Sequence, residues 1–212
     1  MAHVKSVSEC QQGAIAEVIA ASITRLVAEC WQGDGADGLP LCARPQFGSF
    51  LRAESQEDGL NVLSVVYDVV SGPVDSNHRP AALGMSREQL KLEQPHIFAL
   101  LRTEIHALTI GYCLNNRIYQ HLPPRPPEVH DFVYPLTDAE IRSLTENLDF
   151  LTLVPAVSAV PSDELLAAVV READRARNND YQFIVTAGKA LTQLFRDDYD
   201  RLVSVLKKIK PG

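Results

Sequence analysis

The chain has 212 residues, of which 46% are hydrophobic and 22% are charged, and these proportions exclude a disordered or fibrous protein. Its 20 Lys and Arg side chains against 27 Asp and Glu side chains give a net charge of −7. Binding to nucleic acid depends on basic residues that neutralise phosphates. We therefore expect no nucleic-acid partner.

The start of the chain shows neither a signal peptide nor a transmembrane segment, because its apolar stretch is interrupted by Glu17 and Arg25. The cysteines lie far apart with no C-x-x-C pair, a pattern that favours reduced and mostly buried thiols. The four are Cys10, Cys30, Cys42 and Cys113. Together these features predict a cytoplasmic protein.

Residues 14–31 (AIAEVIAASITRLVAECW) fit two alternatives. Their apolar residues recur at a spacing that suits one face of a helix. Their β-branched content and the lack of a good N-cap favour two strands with a kink near residues 20–22. Periodicity alone leaves both alternatives open.

The middle of the chain has short runs of β-branched and aromatic residues between turn signals, a pattern typical of strands. We predict strands at residues 47–54, 61–70, 103–114 and 117–121. Asn115 and Asn116 predict the hairpin turn between the last two strands, because Asn tolerates positive φ. Before the third strand, Ser86 and Gln89 form the pattern of a capping box for one short helix that Pro95 ends.

Residues 123–127 (PPRPP) form the most distinctive segment of the chain. Consecutive prolines favour an extended polyproline helix, which here presents Arg125 and could dock into an aromatic groove of a partner. The alternative, which we favour, is a stiff connector between the hairpin and the helices. Residues 130–134 are expected to pack this connector down.

The last third of the chain predicts helices, since its apolar residues fall at helical spacing behind capping residues. Thr137 and Glu140 form a capping box for a first helix that ends near Leu151. Ser162 is expected to cap a second helix, which residues 178–179 interrupt. A third pattern runs from residue 180 onwards, with a break or bend at residues 197–198.

No motif of catalysis, cofactor binding or metal binding withstands inspection. Residues 33–38 (GDGADG) match the letters of a dinucleotide fingerprint, but Pro40 follows where a helix should begin. At Gly188 and Lys189, Ala190 replaces the Ser or Thr of a phosphate-binding loop. The histidines show no spacing typical of metal ligands. We therefore predict no catalytic residue, no cofactor and no metal site.

The order of the segments resembles the HerA–ATP synthase barrel, or HAS-barrel, family over roughly residues 14–122. The resemblance is carried by AIAEVIAASITRLVAECW, PQFGSFLRAE, LNVLSVVYDV and TEIHALTIGY, with Gly48 and Phe50 matching a strand start of that family. It implies a small six-stranded β-barrel, in which residues 14–31 form two strands. The chain looks most like the stand-alone HAS-barrel proteins of cyanobacteria, which carry a helical extension in place of the ATPase.

We therefore predict an α+β protein, with an N-terminal six-stranded β-barrel followed by a C-terminal helical region. The expected domains are a barrel domain at residues 1–134, with a Pro-rich connector at residues 123–135, and a helical domain at residues 136–212. The activity of the family resides in an ATPase domain, which implies no catalytic residue for this chain.

The expected function is a non-catalytic interaction or assembly module, which the resemblance associates with a ring ATPase or an ATP synthase-like complex. One alternative is an enzyme with a site between barrel and helices, around His96, His106 or Asp131. Another is an accessory factor of a DNA-translocating ATPase.

Val65 and Val66 are the expected interaction residues of the barrel, together with Arg125 in the connector. Only Ser64 is polar within residues 62–67 (VLSVVY), so this strand has apolar side chains on both faces. One face can fill the barrel interior, and the other must meet the helices or another chain. We therefore expect self-association or a protein partner at the outer surface of the barrel.

Overall fold

The computed structural model describes residues 13–31, 45–55, 58–74 and 81–210. A closed antiparallel β-barrel forms the N-terminal half, and a helical region packs against one side of it. This arrangement confirms the predicted α+β class and order. The glycine-rich segment 33–38, Cys10 and Cys42 lie outside the described residues.

Within the described ranges the sheet contains seven strands, in the order β2-β1-β7-β3-β4-β5-β6. Their bounds are β1 Ala16–Ala21, β2 Arg25–Cys30, β3 Phe50–Glu54, β4 Asn61–Pro73, β5 Leu101–Leu114, β6 Arg117–Tyr119 and β7 Phe132–Pro135. Pairing of β2 with β5 closes the ring, so six strands form the barrel and β6 extends from β5 outside it. The two strands expected within residues 14–31 are confirmed as β1 and β2.

The predicted strand at residues 117–121 is confirmed as β6, but it is not the sixth strand of the ring. Residues 117–119 pair only with β5, whereas β7 pairs with β1 on one side and with β3 on the other. Residues 132–135, expected only to pack the connector, therefore complete the ring. Their strand has four residues and directly follows the Pro-rich segment, so it lacks the length by which strands are recognised in a sequence.

The hairpin turn at Asn115 and Asn116 is confirmed, with φ of 51° and 60°. Two consecutive positive values are those of a type I′ turn, which matches the twist of the strands it joins. β5 and β6 consequently pair with Leu114 opposite Arg117 and with Tyr112 opposite Tyr119.

The described residues include six α-helices: α1 Arg87–Glu93, α2 His96–Ala99, α3 Asp138–Leu144, α4 Ser162–Arg175, α5 Tyr181–Leu194 and α6 Tyr199–Ile209. Both predicted capping boxes are confirmed, at Ser86 with Gln89 and at Thr137 with Glu140. The predicted break at residues 197–198 is confirmed as well, because Asp198 caps α6.

Three details of the helix prediction were wrong. α3 ends at Leu144, and a 3₁₀ helix at Asp149–Ala156 follows it instead of a continuous helix to Leu151. Ser162 does not cap α4 but is its first residue, behind Pro161, and its hydroxyl accepts a hydrogen bond from Arg201 of α6. After α1, the four-residue α2 begins directly behind Pro95, so two short helices replace the expected one.

Two apolar clusters hold the protein together, and β4 contributes to both. Val66 belongs to the cluster that fills the barrel interior, which has members from all six ring strands. That interior is narrow, and four of its residues are alanines: Ala16, Ala28, Ala53 and Ala107. Val65 belongs to the second cluster, which joins the outer face of the barrel to the helices.

Barrel and helices approach each other closely at Gly48. A Cβ atom at this position would lie 2.7 Å from Cβ of Ala168 in α4, and φ of Gly48 is +87°. Both the contact and the backbone conformation require glycine here. The backbone of the barrel at Gly48 therefore packs directly against helix α4.

Candidate binding groove beside strand β6

The structure places the three sequence-predicted interaction residues apart from one another. Val65 and Val66 are both fully buried, the first against the helices and the second inside the barrel. Neither side chain offers surface to a partner. The helices of the chain itself cover the face of β4 that carries Val65.

Arg125 lies against the barrel through a set of ion pairs. Its guanidinium lies 2.6 Å from Asp58 Oδ2 and 2.8 Å from Glu128 Oε1, and it donates a hydrogen bond to Ser55 Oγ. The hydrogen bond from Arg125 lowers the pKa of Asp58 to about 2. Pro123 is also buried. The Pro-rich segment is therefore held against the barrel, as expected for a connector.

The residues proposed for an enzymatic site are not brought together. His96 is the first residue of α2. His106 lies on β5, with its ring 6.1 Å from that of Tyr67. Asp131 accepts a hydrogen bond from the backbone amide of Glu128. The apolar core fills the space between barrel and helices in which such a site was expected.

A groove of about 540 Å³ lies elsewhere, between the β5–β6 hairpin and the end of α3. One wall is formed by residues 116–121. The opposite wall is formed by Ser143, Glu146, Asn147 and Asp149. We call this cavity the β6 groove.

The β6 groove runs along the open edge of the sheet. All six residues from 116 to 121 line it, whereas a strand that presented one face would contribute every second residue. No other strand in the described part of the chain pairs with β6. Because Arg117 and Tyr119 pair with β5, the alternation of antiparallel bonding directs the backbone N–H and C=O of Ile118 outwards.

The side chain of Gln120 fixes the distance between the two walls. Its Nε2 donates hydrogen bonds to the carbonyl oxygens of Leu144 at 2.6 Å and Asn147 at 2.8 Å. Its Oε1 accepts from the backbone amide of Phe150 at 3.1 Å. Gln120 thereby satisfies backbone groups at the end of α3 and at the start of the 3₁₀ helix.

Aromatic rings cover the side of β6 opposite to Gln120. The rings of Tyr112 and Tyr119 stack with their centroids 4.8 Å apart, and His121 meets both edge to face. The guanidinium of Arg117 lies 5.3 Å from the centroid of Tyr119. This packing holds the short β6 strand rigid although only three of its residues pair.

Carboxylates dominate the charge of the α3 side of the groove. Glu146 and Asp149 form no ion pair with a cation in the described ranges, and Asp149 accepts a hydrogen bond of 2.7 Å from the side-chain amide of Asn147. A second groove, of about 440 Å³, borders the same residues from the side of α5. Residues 146–149 therefore form an acidic ridge between two grooves.

Sequence reasoning missed the β6 groove entirely. Its only sequence signal was the Asn115-Asn116 turn, which identified the hairpin but not what lies beside it. The residues of the second wall follow the hairpin by more than 20 positions, and no motif marks Gln120.

No protein-family model and no curated protein matches this chain. Among the described residues, no group of three or more His, Cys, Asp or Glu side chains is arranged to hold a metal ion. Cys113 is a free thiol, and burial raises its pKa. The described helices include none with the length and apolar character needed to cross a bilayer.

Proposed function

We propose that the protein is a non-catalytic interaction module that binds a protein partner along the open edge of β6. The observation that carries this proposal is the coincidence of an unpaired strand edge with a groove of about 540 Å³. An extended segment of a partner can pair its backbone with such an edge, a mode in which main-chain hydrogen bonds supply affinity.

The edge of β6 is short, which is one way in which proteins protect an unpaired strand, but it lacks other protective features. Proline, inward-pointing charges or a covering loop normally prevent the edge of a sheet from pairing with another chain. β6 (Arg117–Tyr119) contains no proline, and its charged residue Arg117 lies over the ring of Tyr119. An added strand at Ile118 therefore meets a rigid template.

The proposed partner surface is the edge of β6 and not the outer face of the barrel, where it was expected from the sequence. Val65 is covered by helices and Arg125 is held by Asp58, so neither supports an interface. That the partner is a ring ATPase or an ATP synthase-like complex is part of the proposal only through the resemblance to HAS-barrel proteins.

Site-specific photocrosslinking in the native cells tests the proposal. Ser143 is exposed on the far wall of the groove, so a benzophenone amino acid at this position leaves β6 intact. Tyr199, which is 74% exposed on α6, is the control position. We expect one protein to crosslink from Ser143 and not from Tyr199, through one short contiguous segment that mass spectrometry maps.

Two outcomes would overturn the proposal. One is that crosslinking from Ser143 does not exceed crosslinking from Tyr199. The other is that the crosslinked peptides from Ser143 are scattered over unrelated proteins or over the folded surface of one protein, since strand addition requires a single extended segment.

A further inference from the structure

We infer that the β6 groove selects an extended segment with basic side chains at alternate positions. This inference rests on the proposed function and specifies the chemistry of the partner. It follows from which side chains of an added strand would face each wall.

A strand added beside β6 would have different surroundings on its two faces. Gln120 points to the end of α3, where it bonds to Leu144 and Asn147, and Tyr119 points to the opposite side, where it stacks on Tyr112. Side chains that lie opposite each other on neighbouring strands share a face of the sheet. Alternate residues of the added strand would therefore approach the α3 wall and the aromatic side.

The α3 wall favours cations. It carries the carboxylates of Glu146 and Asp149. Neither forms an ion pair within the described ranges, although the charge of Glu146 also acts on Arg177. The opposite wall has one guanidinium, that of Arg117, which is occupied over a tyrosine ring. A Lys or Arg on the side of the added strand that faces Gln120 lies within reach of the acidic ridge, whereas an acidic residue there would be repelled.

The aromatic side favours apolar residues. The face of Tyr119 is already covered by Tyr112 and by Arg117, so it presents ring edges and alkyl groups rather than a free π face. A valine or another β-branched residue packs well in such a position. The expected ligand thus alternates basic and apolar residues over four or five positions.

Short capped peptides test this inference on the full chain labelled with ¹⁵N. The probes are acetyl-Val-Lys-Val-Lys-Val-amide, the same peptide with Glu in place of Lys, and the Lys peptide with its three central amide nitrogens methylated. Amide chemical shifts give both the location of binding and the dissociation constant. We expect the Lys peptide at millimolar concentration to shift the amides of residues 116–121 and 143–149, and to bind about tenfold more tightly than the Glu peptide.

Substitutions identify which side chains of the β6 groove distinguish the Lys peptide from the Glu peptide. Glu146→Gln with Asp149→Asn should weaken binding of the Lys peptide by about tenfold and remove the preference over the Glu peptide. The matched control is Glu88→Gln with Glu93→Gln, which makes the same change of charge on the exposed helix α1 and should leave binding unchanged. Unaltered shifts elsewhere in the spectrum show that the variants are folded.

Each result bears separately on the inference and on the proposed function. Equal binding of Lys and Glu peptides, or no shift at the groove with either, overturns the inference, and the crosslinking at Ser143 still decides the proposed function. Equal binding of the methylated and unmethylated Lys peptides overturns strand addition itself, because methylation removes the main-chain donors.

Discussion

Replacement of Thr109 by valine should make the protein more stable. Thr109 is fully buried, lies opposite Ser64 in the β4–β5 pair, and its hydroxyl has no hydrogen-bond partner among the described residues. An unsatisfied buried hydroxyl costs about 1 to 3 kcal/mol. Valine has the same shape without this hydroxyl and is favoured in strands. We expect the free energy of unfolding to rise by about 1 to 2 kcal/mol.

Thr145→Val is the matched control, because this threonine is equally buried but fully bonded. Its Oγ1 donates to the carbonyl oxygen of Ile141 at 2.6 Å and accepts from Nη1 of Arg177 at 2.6 Å. The substitution removes both bonds and deprives the guanidinium of an acceptor. We expect a loss of about 1 to 3 kcal/mol.

Urea unfolding followed by circular dichroism measures both effects, and equal m values show that the transitions are comparable. For a chain of this size, 1 kcal/mol corresponds to a change in Tm of about 2 to 4 °C. The two substitutions should therefore shift Tm in opposite directions. If Thr109→Val destabilises the protein as much as Thr145→Val does, the hydroxyl has a partner in solution and the reasoning is wrong.

Three further predictions concern the packing, the groove and the pH dependence. Gly48→Ala should destabilise the protein by about 1 to 3 kcal/mol in urea unfolding, because the added methyl meets Ala168 and φ is positive; an unchanged midpoint would contradict the close approach. Gln120→Ala should speed hydrogen exchange of the backbone amide of Phe150, which donates to Gln120 Oε1 at the start of the 3₁₀ helix. Unchanged exchange would show that contacts other than those of Gln120 hold the two walls of the β6 groove in place. Burial raises the pKa of Asp174 although Lys210 partly opposes this, so the folded state binds this proton more tightly than the unfolded state does. The resulting stabilisation is complete below the ordinary pKa of Asp and is lost as pH rises through the raised value. Asp174→Asn should therefore stabilise the protein at pH 7 and lose this advantage towards pH 3, whereas a gain independent of pH would contradict the assignment.

Local chemistry made much of the fold predictable from the sequence. The capping boxes at Ser86 and Thr137 and the turn at Asn115 depend on neighbouring residues only, so their patterns identify them. The two strands within residues 14–31 are different, because periodicity also allowed a helix. The resemblance to a barrel family, not the pattern, decided that case.

The features that were missed depend on contacts between distant residues. β7 is a strand because β1 and β3 lie on either side of it, and its four residues carry too little pattern of their own. α3 stops at Leu144 although the apolar spacing continues, and there the side chain of Gln120 bonds to the carbonyl oxygen. The alternation of Val65 and Val66 predicts opposite faces but cannot tell what covers the outer one.

The packing of Gly48 on Ala168 has a consequence for the way the chain matures during synthesis. The two residues are in contact although 120 positions separate them in the sequence. At about 5 to 20 residues per second, the ribosome needs roughly 6 to 24 s to make the intervening chain. Until α3 and the helices that follow it have been made, the outer face of the early strands, with Phe50 and Val65, has no helix to cover it. A nascent chain of this protein is therefore a substrate for chaperones that bind exposed apolar strands, until α4 emerges and packs onto the barrel.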